Sequence, residues 1–146
     1  MREFIEKTLR AAGDAVMKHF GHAAVAYTKE DASDLVTHAD LQAEKIIVEA
    51  IRAAYPDHAI VSEEGLNEKK EGSLTWYVDP IDGTKNFASH IPLFGIMMAC
   101  ADGGTVTHGG IYLPITGELI YAEIGKGAWM GSRRLYASTA PDLPIE

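Results

Sequence analysis

Two acids, a proline and a glycine stand together at Asp79-Pro80-Ile81-Asp82-Gly83-Thr84, directly after the apolar run Trp76-Tyr77-Val78. The spacing spares the two carboxylates the crowding of immediate neighbours. Pro80 fixes one dihedral between them without needing a hydrogen bond, and Gly83 lets the main chain approach a ligand closely. If Thr84 opens a helix through Lys85, Asn86 and Phe87, the free N–H groups of its first turn favour an anion. A second acidic group, Ser62-Glu63-Glu64-Gly65, follows the short apolar run Ala59-Ile60-Val61. Should the two strand ends lie side by side, Glu63, Asp79 and Asp82 converge as hard oxygen donors suited to Mg²⁺, with Mn²⁺ as the alternative. No Cys/His spacing points to zinc. Two such ions about 4 Å apart would activate a water and stabilise the leaving oxygen of an in-line phosphoryl displacement, so phosphate ester hydrolysis is the natural reaction.

Each piece alone has an ordinary reading. Adjacent glutamates are usually solvated surface, Asp-x-x-Asp-Gly is often only a turn, and Asp40 is most simply a helix-start acid that complements the dipole. Lys29 by itself is a loop lysine. His22, His38, His58, His90 and His108 are scattered without ligand spacing, which suits surface or hydrogen-bonding roles.

The elements that must position the acids can be traced along the chain. Ile5, Leu9, Ala12, Val16 and Phe20 recur at three- and four-residue steps, the face of an amphipathic helix that Gly21 would stop. The polar stretch from Ala23 to Ser33 reads as a surface loop. A second helix is expected from near Thr37 to Tyr55, with Thr37 as N-cap, Asp40 as the capping acid and Ala43, Ile47, Ala50, Ile51 and Ala54 facing inward, ended by Pro56. Short apolar runs then alternate with turn signals. They are Ala59 to Val61, Thr75 to Val78, Phe94 to Ala101 and Val106 to Leu113 around Asp102-Gly103-Gly104, Glu118 to Ile124, and Ala128 to Met130. The expected class is α+β, two N-terminal helices packed on a mostly antiparallel sheet, with the other sheet face left for a partner or further chain. The tail from Ser138, with Pro141 and Pro144, reads as poorly ordered.

Composition narrows the partners. A chain of 146 residues with 47% hydrophobic content buries one core. A formal charge of −8 without a Lys/Arg block argues against nucleic acid. No apolar run reaches the length of a membrane span, and Met1-Arg2-Glu3 is acidic too early for a signal peptide, so a soluble protein is expected. Cys100, the sole cysteine, lies in an apolar run and reads as core, which fits a reducing cytoplasm.

In this order, Lys29, Asp34-Leu35-Val36-Thr37-His38-Ala39-Asp40, Ser62-Glu63-Glu64-Gly65, Trp76 to Phe87 and Gly125-Lys126-Gly127-Ala128-Trp129 resemble the inositol monophosphatase family over nearly the whole chain. The resemblance implies the first half of the layered sugar-phosphatase fold: an N-terminal metal-binding domain over 1–137 and a tail, 138–146, leading toward a second half. It implies that Glu63, Asp79 and the carbonyl of Ile81 hold one Mg²⁺, that Asp79 and Asp82 hold another, and that Glu64 stands behind them. Thr84, backed by Glu63 or Asp40, would orient and help deprotonate the attacking water, while the Gly83 and Thr84 amides bind phosphate. Lys29 matches a lysine near a third, weaker metal. The implied enzyme is a Mg²⁺-dependent phosphomonoesterase acting on a small phosphorylated metabolite such as inositol monophosphate, and a homodimer or association through the open sheet face is expected. Fructose 1,6-bisphosphate, 3′-phosphoadenosine phosphate and histidinol phosphate are alternative substrates, since Lys85 stands where inositol-directed members often carry threonine. A non-catalytic metal- or phosphate-binding module is the alternative of another class. The family's Trp-Asp-x-Ala-Ala-Gly-like segment, whose aspartate completes the second metal, has no counterpart, because neither Trp76 nor Trp129 precedes an aspartate. The chain is therefore expected to be a truncated piece that lacks one ligand and much of a substrate pocket.

Overall fold

The computed structural model describes residues 1–22, 25–28, 35–70 and 72–138. Helix α1 spans Arg2–Met17, and Ile5, Leu9, Ala12 and Val16 are all buried on its inner face, as their spacing predicts. The helix ends before Gly21: Lys18, His19 and Phe20 donate to carbonyls three residues back, a tightened last turn, and Gly21 then takes φ +88°. Phe20, beyond the helix, packs on Phe87 and Phe94 at 5.7 and 5.2 Å.

The expected loop from Ala23 to Ser33 contains a strand. β1, Val25–Thr28, pairs antiparallel with β2, Leu35–Thr37. Val, Tyr and Thr are good strand formers, and the charged run beginning at Lys29 masks them in the sequence. Lys29 itself lies outside the described residues, as do Asp34 and the tail beyond 138.

Helix α2, His38–Ala54, starts on the predicted capping box and ends at Tyr55, before Pro56. Ala43, Ile47 and Ile51 are buried as expected, but Ala50 is only half-buried and Ala54 is exposed. Their places go to Ala39, Asp40 and Val48. Asp40 belongs to this buried stripe, hydrogen-bonded to Thr37 and Thr84.

Seven strands form one sheet in sequence order. These are β3 Ala59–Ser62, β4 Thr75–Asp82, β5 Gly95–Asp102, β6 Thr105–Leu113, β7 Glu118–Glu123, β8 Gly127–Met130 and β9 Arg133–Leu135. β3 and β4 run parallel, and every later pair is antiparallel. The β5–β6 turn is the predicted one: Asp102 pairs with Thr105, and Gly103 and Gly104 take φ +52° and +86°, the left-handed pair a two-residue hairpin requires. β9 was not foreseen, since Arg133-Arg134-Leu135 shows no alternation. A short helix α3, Thr84–Ala88, lies between β4 and β5.

One face of the sheet is the core. Trp76, Val78, Ile96, Met98, Cys100, Tyr112, Leu119 and Tyr121 are buried beneath α1 and α2. The opposite face carries Val61, Tyr77, Asp79, Met97, Ala99, Gly109, Ile111, Ile120 and Ala122 around a broad apolar hollow. Tyr77 is 45% exposed there, so the described chain leaves this face open, as expected. Among the described residues no helix is long and apolar enough to cross a membrane.

Helix α1 presses on β6 without a gap. A Cβ on Gly110 would come 2.5 Å from Ile5 Cγ2 and 2.8 Å from Leu9 Cδ1, whereas one on Gly109, facing the open side, would meet nothing within 4 Å. Gly110→Val should therefore lower stability by about 1–3 kcal/mol through overpacking, while Gly109→Val should be neutral or stabilising, because valine favours a strand. Urea denaturation checks the pair, and equal midpoints for the two variants would overturn this account of the helix contact.

Candidate active site

The parallel pairing of β3 with β4 brings the two acidic segments together. Ser62 lies opposite Val78, and the Glu63 N–H extends the ladder by donating to the Val78 carbonyl at 3.1 Å. Glu63 therefore leaves β3 beside Asp79.

Asp79 and Asp82 lie in β4 itself and not in a turn after it, which corrects the sequence reading. The β4–β5 register shifts between them: Asp79 faces Met97 and Asp82 faces Gly95, so three steps on one strand meet two on the other. In a regular strand, residues three apart point to opposite faces. The extra residue of a bulge resets that alternation and returns Asp82 to the side of Asp79. Pro80, buried here, has no N–H to leave unpaired at the irregularity.

The clustering appears in the electrostatics of Asp79. Its carboxyl is pushed up to about 8, first by burial, then by a hydrogen bond with the Glu63 carboxyl and the negative charges of Glu63, Asp82 and Asp40. Asp79 Oδ1 is buried without a hydrogen-bond partner. Two acids that share a proton while one oxygen stays unsatisfied form an environment that takes up positive charge. Among the described residues no group of three or more His, Cys, Asp or Glu closes into a metal cage. Asp79 and Glu63 thus meet directly, and Asp82, exposed, acts on them through its charge. These three are the residues whose chemistry could take a hard cation.

Asp40 is fully buried at the third position of α2, and three donors surround it. The Thr37 N–H reaches Oδ2 at 2.8 Å, the Thr37 hydroxyl donates to the same oxygen, and the Thr84 hydroxyl stands 3.2 Å from Oδ1. Burial raises the Asp40 pKa and these hydrogen bonds pull it back. The Thr84 hydroxyl has a second acceptor, the Ile81 carbonyl at 2.9 Å, so its single proton is directed inward and its lone pairs are left to accept from a water. Thr37 was read from the sequence only as a helix cap. Its hydroxyl also holds the acid that faces Thr84, and the Thr-x-x-Asp spacing was the available signal.

Gly83 links strand to helix in the left-handed conformation, φ +87°, and a Cβ there would come 3.0 Å from the Leu93 carbonyl oxygen. Asn86 Nδ2 donates to that same oxygen at 2.8 Å, which holds the segment after α3 close against the turn. Glu64 is half-buried, and its N–H faces Ser62 Oγ at 3.5 Å. The structure thus groups Glu63, Asp79, Ile81, Asp82, Gly83, Thr84 and Asp40 at one end of the sheet.

A pH dependence follows. The folded pKa of Asp79 lies above the ordinary 3.8. Its contribution to stability is therefore fully present below about 4 and is lost as pH rises through about 8. Metal-free protein should melt at a higher temperature at pH 5 than at pH 8.5, and Asp79→Asn should flatten this dependence and raise the melting temperature at pH 8.5. Parallel profiles for the two proteins in calorimetry would remove Asp79 as the strained acid.

The inositol monophosphatase family profile matches residues 1–145. The fructose-1,6-bisphosphatase/inositol-1-monophosphatase of Thermotoga maritima is 39% identical over 141 residues, 97% of this chain and 54% of that protein. The Nus factor SuhB of Vibrio cholerae is 36% identical over 139 residues, 94% of this chain and 52% of that one. Among solved structures, the extragenic suppressor protein suhB from Bartonella henselae matches with a TM-score of 0.88 at 33% identity, over 95% of this chain and 55% of that chain. The chain spans about half the length of the curated relatives it matches. With its profile matched nearly end to end and its acids grouped at one end of a sheet of the same fold, the chain belongs to the inositol monophosphatase family.

Proposed function

We propose that this chain is the acid-bearing half of a Mg²⁺-dependent phosphomonoesterase for a small phosphorylated metabolite, with inositol monophosphate as the first candidate. The observation that carries the reading is Asp79 Oδ1, buried without a partner beside the Glu63 carboxyl. A hard cation in place of the shared proton would satisfy that oxygen and relieve the repulsion among Glu63, Asp79 and Asp82. Glu63, Asp79 and the Ile81 carbonyl would hold one ion, and Asp79 and Asp82 a second. Mg²⁺, or Mn²⁺ in its stead, would neutralise the phosphate and acidify an attacking water when bound.

The chain's own residues supply the rest. Thr84 Oγ1 accepts a proton from the water as its own proton passes to Asp40 Oδ1, and the water oxygen then bonds to phosphorus while the ester P–O bond breaks. The departing alkoxide takes its proton from solvent. The Gly83 and Thr84 amides, at the start of α3, would hold the phosphate, with Glu64 supporting Glu63. The shared name of the Thermotoga relative supports phosphatase chemistry and keeps fructose 1,6-bisphosphate beside inositol monophosphate as substrate. A non-catalytic metal- or phosphate-binding module is the second reading, supported by the relative from Vibrio cholerae, which is named as a Nus factor and not as a phosphatase.

Phosphate release from inositol 1-phosphate, fructose 1,6-bisphosphate, 3′-phosphoadenosine phosphate and histidinol phosphate, with and without Mg²⁺, separates the readings. The expected result is Mg²⁺-dependent release that falls by roughly 10²-fold or more in Asp79→Asn and in Thr84→Val, the latter keeping its Mg²⁺ affinity. Mg²⁺ binding without release from any substrate would instead support the binding module. In titration calorimetry Glu63→Gln should weaken Mg²⁺ binding more than Glu64→Gln, and equal losses would refute the assignment of Glu63 as a ligand.

A further inference from the structure

His58 and the indole of Trp76 form a side-chain tie across the parallel strand pair, at the end opposite to Glu63 and Asp79. Trp76 is fully buried, and its Nε1–H donates to His58 Nδ1 at 3.0 Å. An indole nitrogen can only donate, so the bond exists only while Nδ1 carries no proton and the ring hydrogen sits on Nε2. Turning the ring over would present carbon in place of Nδ1, so no reorientation restores the acceptor. His58 immediately precedes β3, and Trp76 lies opposite Ile60 in the ladder, so the tie pins β3 to β4. Tyr55 stacks on the imidazole at 4.9 Å with 14° between planes, and Phe4 of α1 sets its edge against both Tyr55 and Trp76.

We propose that the His58–Trp76 pair is a proton-sensitive clasp on the β3–β4 pairing. Protonation of the imidazole sets N–H against N–H, frees the indole donor in a buried place, and loosens β3 from β4. Lys70, on the segment after β3, donates to the His58 and Pro56 carbonyls at 2.9 and 3.0 Å. Asp57 precedes His58 in the chain, and Tyr55, the C-cap of α2, brings its phenol ring against it. β4 and α1 present the uncharged Trp76 and Phe4. None of these groups alters the mismatch once Nδ1 is protonated. The clasp holds the same strand pair that sets Glu63 beside Asp79, and its opening requires no ligand at the acidic end.

The indole ¹⁵N–¹H resonances of Trp76 and Trp129 in metal-free protein provide the test, with Trp129→Phe for assignment. Between pH 8 and pH 5, exchange of the Trp76 indole proton, measured against that of Trp129, should rise about tenfold as the bond is lost. His58→Asn places a non-titrating oxygen near the position of Nδ1 and should hold the clasp closed at both pH values. His58→Phe should leave it open at both. A Trp76 resonance indifferent to pH, or one that responds equally in His58→Asn, would overturn the proposal, and both outcomes can be read even if the phenylalanine variant fails to fold.

Discussion

The parallel ladder of β3 and β4 sets Glu63 and Asp79 side by side. Ser62 pairs with Val78, and the next N–H on β3 is bonded to the Val78 carbonyl, so the two carboxyls emerge side by side from strands about 4.8 Å apart. Side-chain rotation gives limited relief where one oxygen is already buried. Positive charge is what the arrangement lacks: a shared proton supplies it at low pH, and a cation could supply it at neutral pH. The large contacts elsewhere, α1 on β6 and α2 on β4, hold the sheet rigid enough for that repulsion to persist instead of relaxing.

Asp40 joins this constraint to the helices. The acid that closes the capping box of α2 is also the acceptor toward which the Thr84 hydroxyl points, so one carboxylate serves a helix start and the entrance to α3. A buried carboxylate is costly unless its lone pairs are filled. Thr37 fills two positions on one oxygen and Thr84 one on the other. The carboxylate proposed as proton acceptor is thus stabilised by ordinary helix capping, and a change that harms the cap also reaches Thr84.

What the sequence disclosed follows the range of the interactions involved. The α2 cap and the Gly103-Gly104 turn were legible because each is decided within four residues. The convergence of Glu63 with Asp79 was legible as a condition on two strands being neighbours, and the structure meets it. The bulge between Asp79 and Asp82 was not, since it exists only in register with Met97 and Gly95, more than ten residues away. β1 was hidden because a charged run outweighed four residues of moderate strand preference. Ala50 and Ala54 were placed inside by periodicity alone, while the fold chose Val48 and Asp40, a choice made by what α2 packs against.

The open sheet face adds the last step. Tyr77 and Met97 flank Asp79 on the same side, so the apolar hollow runs directly into the acid pair. Asp79 already owes the largest part of its raised pKa to burial, with this face still in contact with solvent. Covering it with any apolar surface would remove more water from the carboxyls and raise the cost of their charge. The same loss of water strengthens attraction to a cation, because Coulomb interactions grow as the local dielectric falls. Closure of the face and occupation of the acidic site are therefore expected to favour each other, with Asp79 as the residue through which the coupling passes.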